Sequence, residues 1–327
     1  MKQNKPNKSS AKAATAVAPR KKGRTLIELK KQLSIQGFAL AGVIYLILFS
    51  IIPMAGIIIA FNKYDIRDGF FGMFTAPWVG FDHFVKFVTD RKFSMLMTNT
   101  VTISALKLVC SFPLPILLAI MITEMRGKYY KRVVQTVSYL PHFINWIVVS
   151  GICFAFFSTQ SGLINEILVK TGLADKPIPL LLDPKYYYGL AVLSDIWKET
   201  GWGAILYLAT ISGIDPSLYE SAQIDGAGRL KRIWYITLPS LKGIIIIMLI
   251  LSVGGLVGGN FDQSMMLGND MNRDKSMIIE YYVFTVGLGQ GKYSYAAAVG
   301  LFQSVISLTL TGITAKISNK YSEVSLF

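Results

Sequence analysis

Only two cysteines and two histidines occur among the 327 residues. Cys110 and Cys153 both fall inside apolar segments, at no metal-ligand or disulfide-framework spacing, so they read as small buried side chains. His83 and His142 form no His-x-x-x-His pair, and neither has a thiol nearby, which leaves no hydrolytic metal motif. Charge is scarce too, at 16% of residues against about a quarter in ordinary soluble domains. A nucleotide-cradling loop is absent as well. That loop needs Gly-x-x-x-x-Gly-Lys followed by Ser or Thr, so that backbone amides and the lysine reach the phosphates. At Gly127-Lys128 and Gly291-Lys292 the first glycine is replaced by Ile122 and Val286, and a tyrosine follows each lysine. The chain is therefore expected to be no enzyme, to hold no metal or cofactor of its own, and to bind no ATP itself.

Apolar residues are plentiful, at 52%, and mean hydropathy is +0.47. Six segments have the roughly 20 apolar residues that a membrane crossing needs: 37–61, 99–123, 133–157, 187–212, 239–259 and 296–316. The second to fourth also hold Lys107, the Pro113/Pro115 pair, Pro141, His142 and the cluster Asp195, Lys198, Glu199. Lipid offers such groups no partner, so these helices should pack on others or line a cavity. The fold class is thus an all-α integral membrane protein with six transmembrane helices.

Orientation follows from the loops. Placing the N terminus in the cytoplasm gives the inside segments (1–36, 124–132, 213–238 and 316–327) 19 Lys/Arg and 6 Asp/Glu. The outside segments (62–98, 158–186 and 260–295) then hold eleven of each. That asymmetry is the positive-inside pattern with both termini cytoplasmic. It also accounts for the net charge of +14 without a nucleic-acid partner. Residues 1–24 read as a basic disordered cytoplasmic tail with no signal-peptide cleavage pattern. Residues 25–36 read as an amphipathic helix lying at the interface, and 37–327 as the six-span domain.

One polar stretch, "YESAQIDGAGRLKRIWYITLP" (Tyr219 to Pro239), stands between two apolar segments. Asp215 or Ser217 can cap a short helix starting at Pro216. Gly226-Ala-Gly228 allows a turn, and a second helix follows into the membrane. The spacing Glu220-Ser221-Ala222, three residues, Gly226, nine residues, Ile236, one residue, Leu238-Pro239 resembles the Glu-Ala-Ala loop of binding-protein-dependent ABC importer permeases. Ser221 in place of Ala is the one departure. "YLILFSIIPMAGIIIAFNKYDI", "SYLPHFINWIVVSGI" and the terminal "SEVSLF" resemble the branch that imports complex or oligomeric saccharides. The resemblance covers roughly Leu26 to the end.

The resemblance implies a type I, maltose-permease-like fold in a bacterial inner membrane. The loop 213–238 would be a coupling helix seated in a cleft of an ATPase, with Glu220, Ser221, Ala222, Asp225, Gly226, Ile236, Leu238 and Pro239 as its coupling residues. Implied partners are a second homologous permease forming a heterodimer, two ABC ATPase subunits, an extracellular or periplasmic solute-binding protein, and a saccharide. For the saccharide path the residues themselves offer "SDIWKETGWGAILY", with Asp195, Trp197, Lys198, Glu199 and Trp202, of which 195, 199 and 202 share a helical face and Lys198 and Trp202 are spaced to pair. Asn145, Asn260, Asp262 and Gln263 are further candidates. Two other readings stand beside this one: a neutralising packing network of Asp195, Lys198 and Glu199, or a proton relay of the same three in a gradient-driven carrier.

Overall fold

The computed structural model describes residues 33–321. The predicted basic tail, most of the predicted interfacial helix and the terminal "SEVSLF" lie outside them. Among the described residues everything regular is helical, and an isolated bridge between Asn62 and Trp78 is the lone β-type pairing.

Helix α1 (Leu33–Leu46) continues through a π turn at Ile47–Ile51 and a 3-10 stretch at Ala55–Phe61. Pro53 lacks the N–H that would bond back one turn, and the widened π turn just before it absorbs the mismatch. From Ile57 onward the chain forms a second compact unit. Its helices include α2 (Asp82–Thr89), α3 (Phe93–Cys110), α4 (Pro113–Glu124), α5 (Lys128–Tyr139), α6 (Trp146–Phe157), α7 (Leu163–Lys170), α8 (Pro184–Ser212), α9 (Pro216–Ile224), α10 (Leu238–Gly254), α11 (Phe261–Leu267), α12 (Ile279–Phe284) and α13 (Tyr293–Tyr321).

Four helical runs are long and apolar enough to cross a membrane: Ala39–Phe61, Phe93–Glu124, Arg229–Val257 and Tyr293–Ser318. They correspond to the predicted segments 37–61, 99–123, 239–259 and 296–316. The other two predicted spans are not among these four. The segment 133–157 is not one helix, because Lys128–Phe143 and Trp146–Phe157 meet at 103°. Pro141 withholds an amide, and Asn145 adopts an extended backbone and restarts the helix by accepting from the Ile147 N–H. The segment 187–212 lies within α8, which is long enough at 29 residues. Its charged cluster leaves it less apolar than the four runs above.

Helix α8 is the axis of the second unit, packing most extensively on α4 and also on α3, α5 and α10. Gly201 lets it approach α5 closely, since a Cβ there would overlap the Ser138 carbonyl. Ala119, Ala204, Tyr207, Ile211 and Leu241 bury one cluster between α4, α8 and α10. A second gathers Ile103, Trp146, Val149, Tyr187 and Ile278. A polar staple ties α3 to the segment before α12: the Asn99 amide donates to the Met277 and Asp274 carbonyls, both at 2.9 Å, and accepts from the Tyr188 hydroxyl at 2.7 Å. Outward-facing residues such as Val109 and Leu308 are more than two-thirds exposed. Apolar surface of that extent suits lipid.

Candidate functional site

A groove of about 420 Å³ opens beside α8, lined among others by Ser104, Lys107, Asp195, Glu199, Trp202 and Asn260. The link from α10 to α11 closes it, and Gly259 allows that link to lie against Ile278, where a Cβ would clash. Two charge clusters border the groove, one through Lys107 and Asp195 and the other through Glu199. In the first, Lys107 meets Asp195 at 2.8 Å and donates to the Gln263 carbonyl oxygen at 2.7 Å. Gln263 is fully buried and donates in turn to the Ala191 carbonyl and the Ser194 hydroxyl.

In the second, the buried Lys198 donates to the His142 carbonyl at 2.6 Å and pairs with Glu199 at 3.1 Å. His142 contacts the same Glu199 through Nδ1 at 2.6 Å. The lysine thus satisfies a carbonyl freed by the helix break, which is how irregular backbone is tolerated at membrane depth. The predicted pairing of Lys198 with Trp202 gives way to another arrangement. Lys198 sits 5.7 Å from the Trp146 ring centre, and Trp202 stacks parallel on His142 at 4.3 Å. The groove therefore offers carboxylates, an ammonium, hydroxyl and amide groups beside an aromatic wall.

The remaining predicted path residues are dispersed. Asn260 caps α11 by accepting from the Gln263 N–H and does line the groove. Asn145 is an exposed cap at the helix break. Trp197 faces an apolar cleft with Val149, Ile152 and Leu193, and Asp262 is exposed outside the groove. Sequence reasoning passed over Lys107 as a site residue, although a lysine inside an apolar run was the available signal. Ser104 carried no signal at all.

The polar stretch folds as its capping pattern implies. Asp215 accepts from the Ser217 N–H, Pro216 takes the first helical position, and α9 ends at Ile224. Hydrogen bonds from the Ser217 amide and side chain hold the Asp215 carboxyl below the usual carboxylate range. The cap is thus fully formed near neutral pH and is lost only as pH falls through that lowered value. Gly226 takes a positive φ of 75°, and the Ala227 N–H returns to the Ala222 carbonyl at 2.8 Å. The chain then enters α10 through Arg229–Arg232 and a π turn at Ile233–Thr237. A bond of 2.9 Å between the Tyr219 and Thr237 hydroxyls fastens α9 to that turn. Glu220, Ser221, Asp225, Gly226 and Pro239 are exposed, while Ala222, Ile236 and Leu238 are half-buried. Ile224, Leu230 and Tyr235 are each at least 74% exposed.

The sequence model described as the binding-protein-dependent transport system inner membrane component matches residues 111–323. The polygalacturonan/rhamnogalacturonan transport system permease protein YteP of Bacillus subtilis (strain 168) is 40% identical over 307 residues, 94% of each chain. Two solved structures superpose with TM-scores of 0.82. One is a bacterial ABC transporter involved in the import of the acidic polysaccharide alginate, 34% identical and covering 91% of this chain and 99% of its own. The other is a bacterial alginate ABC transporter in complex with an alginate pentasaccharide-bound periplasmic protein, 33% identical and covering 93% and 100%.

Proposed function

We infer the function from one premise: the chain belongs to the family of binding-protein-dependent transport system inner membrane components. It is a membrane-spanning permease of an ABC sugar importer. Beyond that, our reading is that it forms half of the path for an oligosaccharide. A solute-binding protein delivers the sugar, a second permease completes the path, and two ATPase subunits bind ATP and Mg while this chain catalyses nothing. The four long apolar runs, the bent pair α5–α6 and α8 together make six passes, with both termini in the cytoplasm.

The observation that carries this reading is the exposed knob built from α9 and its glycine turn. Residues 213–238 act as the coupling helix, with Glu220, Ser221, Ala222, Asp225 and Gly226 at the ATPase and Ile236, Leu238 and Pro239 forming its root. When ATP draws the two ATPases together, the paired knobs follow and the path opens outward; hydrolysis reverses the movement. The groove at Asp195, Glu199, Trp202 and Asn260 belongs to the saccharide path, with an aromatic face for the C–H side of a sugar ring and polar groups for its hydroxyls. A proton relay is disfavoured, since Asp195 is held by Lys107 and Glu199 by both His142 and Lys198. Affinity purification of the tagged chain in mild detergent, followed by mass spectrometry, tests the assembly. A second multi-span permease, a Walker-A ATPase and a solute-binding protein should co-purify. Recovery of this chain alone in several detergents would refute the assignment.

A further inference from the structure

The segments assigned to the outside carry eleven basic and eleven acidic residues, a balance that points to no preference for charged or neutral sugars. The fold breaks that balance locally. A second and larger cavity, about 780 Å³, lies where the end of the first apolar run, α2, α12 and the start of α13 converge. Lys63, Lys86, Lys92 and Lys292 line it, and Asp90 is the one acid among the lining residues. Asp90 accepts from the Lys92 N–H at 2.8 Å, which fixes its position and leaves its charge in the cavity. Lys86 has an exposed partner in Asp82 at 2.7 Å. Lys63, Lys92 and Lys292 have no ion-pair partner among the described residues. Like charges gathered in one concavity repel one another, and with Lys86 paired to Asp82 the three remaining lysines outnumber the single lining carboxylate, a surplus that favours an anion.

The walls complete the chemistry. Tyr282 is buried at the floor with the Lys92 ammonium 5.9 Å from its ring centre, and Tyr64, Tyr293 and Tyr295 are half-buried around it. The Tyr64 N–H donates to the Ser294 hydroxyl at 3.0 Å, and His83 Nε2 lies 3.1 Å from the Asn62 carbonyl, so both walls are fixed to the bundle. Aromatic faces take the C–H side of a pyranose, phenolic hydroxyls take its O–H groups, and lysines take carboxylates. A convex protein surface would need a flatter patch of several hundred Å², whereas this volume falls in the range of roughly 300–1,000 Å³ usual for small-ligand sites.

We propose that this cavity is a receiving site for uronate-bearing oligosaccharides, taken up at the outer mouth of the permease before they enter the membrane path. The proposal rests on the importer reading above for its orientation and adds the substrate's charge. It is tested on the assembled importer in lipid nanodiscs, without nucleotide, using trigalacturonate and its fully methyl-esterified, neutral form as probes. The wild type should bind the acid form roughly tenfold or more tightly than the ester, and the difference should shrink at high salt. The triple variant Lys63→Gln/Lys92→Gln/Lys292→Gln should lose the preference, while Lys63→Arg/Lys92→Arg/Lys292→Arg keeps it. Equal binding of acid and ester, or unchanged acid binding by the glutamine variant, would overturn the proposal. So would a glutamine variant that binds trigalacturonate normally but no longer docks the ligand-free solute-binding protein, because the basic rim would then serve a protein. Binding is read without ATP or transport. A failure of ATP-driven uptake therefore counts against the importer reading and leaves the result for the cavity standing.

Discussion

Gly226→Asp should leave the protein folded in the membrane and cut transport at least roughly tenfold. Gly226 sits at a positive φ with open space around its missing Cβ. A side chain there meets only backbone strain, about 1–2 kcal/mol, well under the 5–15 kcal/mol by which a folded protein is typically stable. At the knob the same carboxylate adds bulk and charge to the face proposed to meet the ATPase. Disrupting a central interface contact costs ~2 kcal/mol or more, which is more than tenfold in affinity. The expected result is a normal yield of membrane protein, ATP hydrolysis no longer stimulated by the loaded binding protein, and uptake reduced at least roughly tenfold. Normal uptake by this variant would remove the knob from the mechanism.

The second large effect concerns Lys107 and Asp195, whose side chains are 17% and 14% exposed. The pair is half-buried at the groove wall, so removing one member strands the other at a cost below the roughly 3–5 kcal/mol of a fully buried pair. Lys107→Met also takes the donor away from the Gln263 carbonyl oxygen. Lys107→Met alone should therefore lower the thermal midpoint in detergent sharply, and Lys107→Met/Asp195→Asn should recover most of the loss. Uptake separates packing from recognition. If the groove belongs to the path, the double variant regains stability but transports poorly. If the pair only packs helices, stability and uptake return together.

The sequence was most informative where a residue type decides a backbone conformation. Asp215, Pro216 and Gly226 announced the start and end of α9 because cap, first-turn proline and positive-φ glycine are local chemistry. The four apolar runs were equally plain from length and hydropathy. Pro141 was visible too, yet its consequence depended on partners far along the chain. The break at 144–145 persists because Lys198, some 56 positions later, occupies the His142 carbonyl. Which charges pair was not legible for the same reason. Spacing along α8 brought Asp195, Lys198 and Glu199 together, whereas the fold gives Asp195 to Lys107 on α3 and stacks Trp202 on His142. The lysine-lined cavity was hidden more completely, since its residues come from four separate segments that, taken in sequence, balance their acids.

In the proposed cycle, ATP hydrolysed on separate subunits drives a sugar through this chain. Uptake of a labelled oligosaccharide, accepted by the co-purified binding protein, into proteoliposomes holding the complete assembly tests it most directly. Lumenal ATP should be required, and a protonophore should have no effect. Uptake that survives without ATP but collapses with the proton gradient would contradict the account and return Asp195, Lys198 and Glu199 to the role of a proton relay.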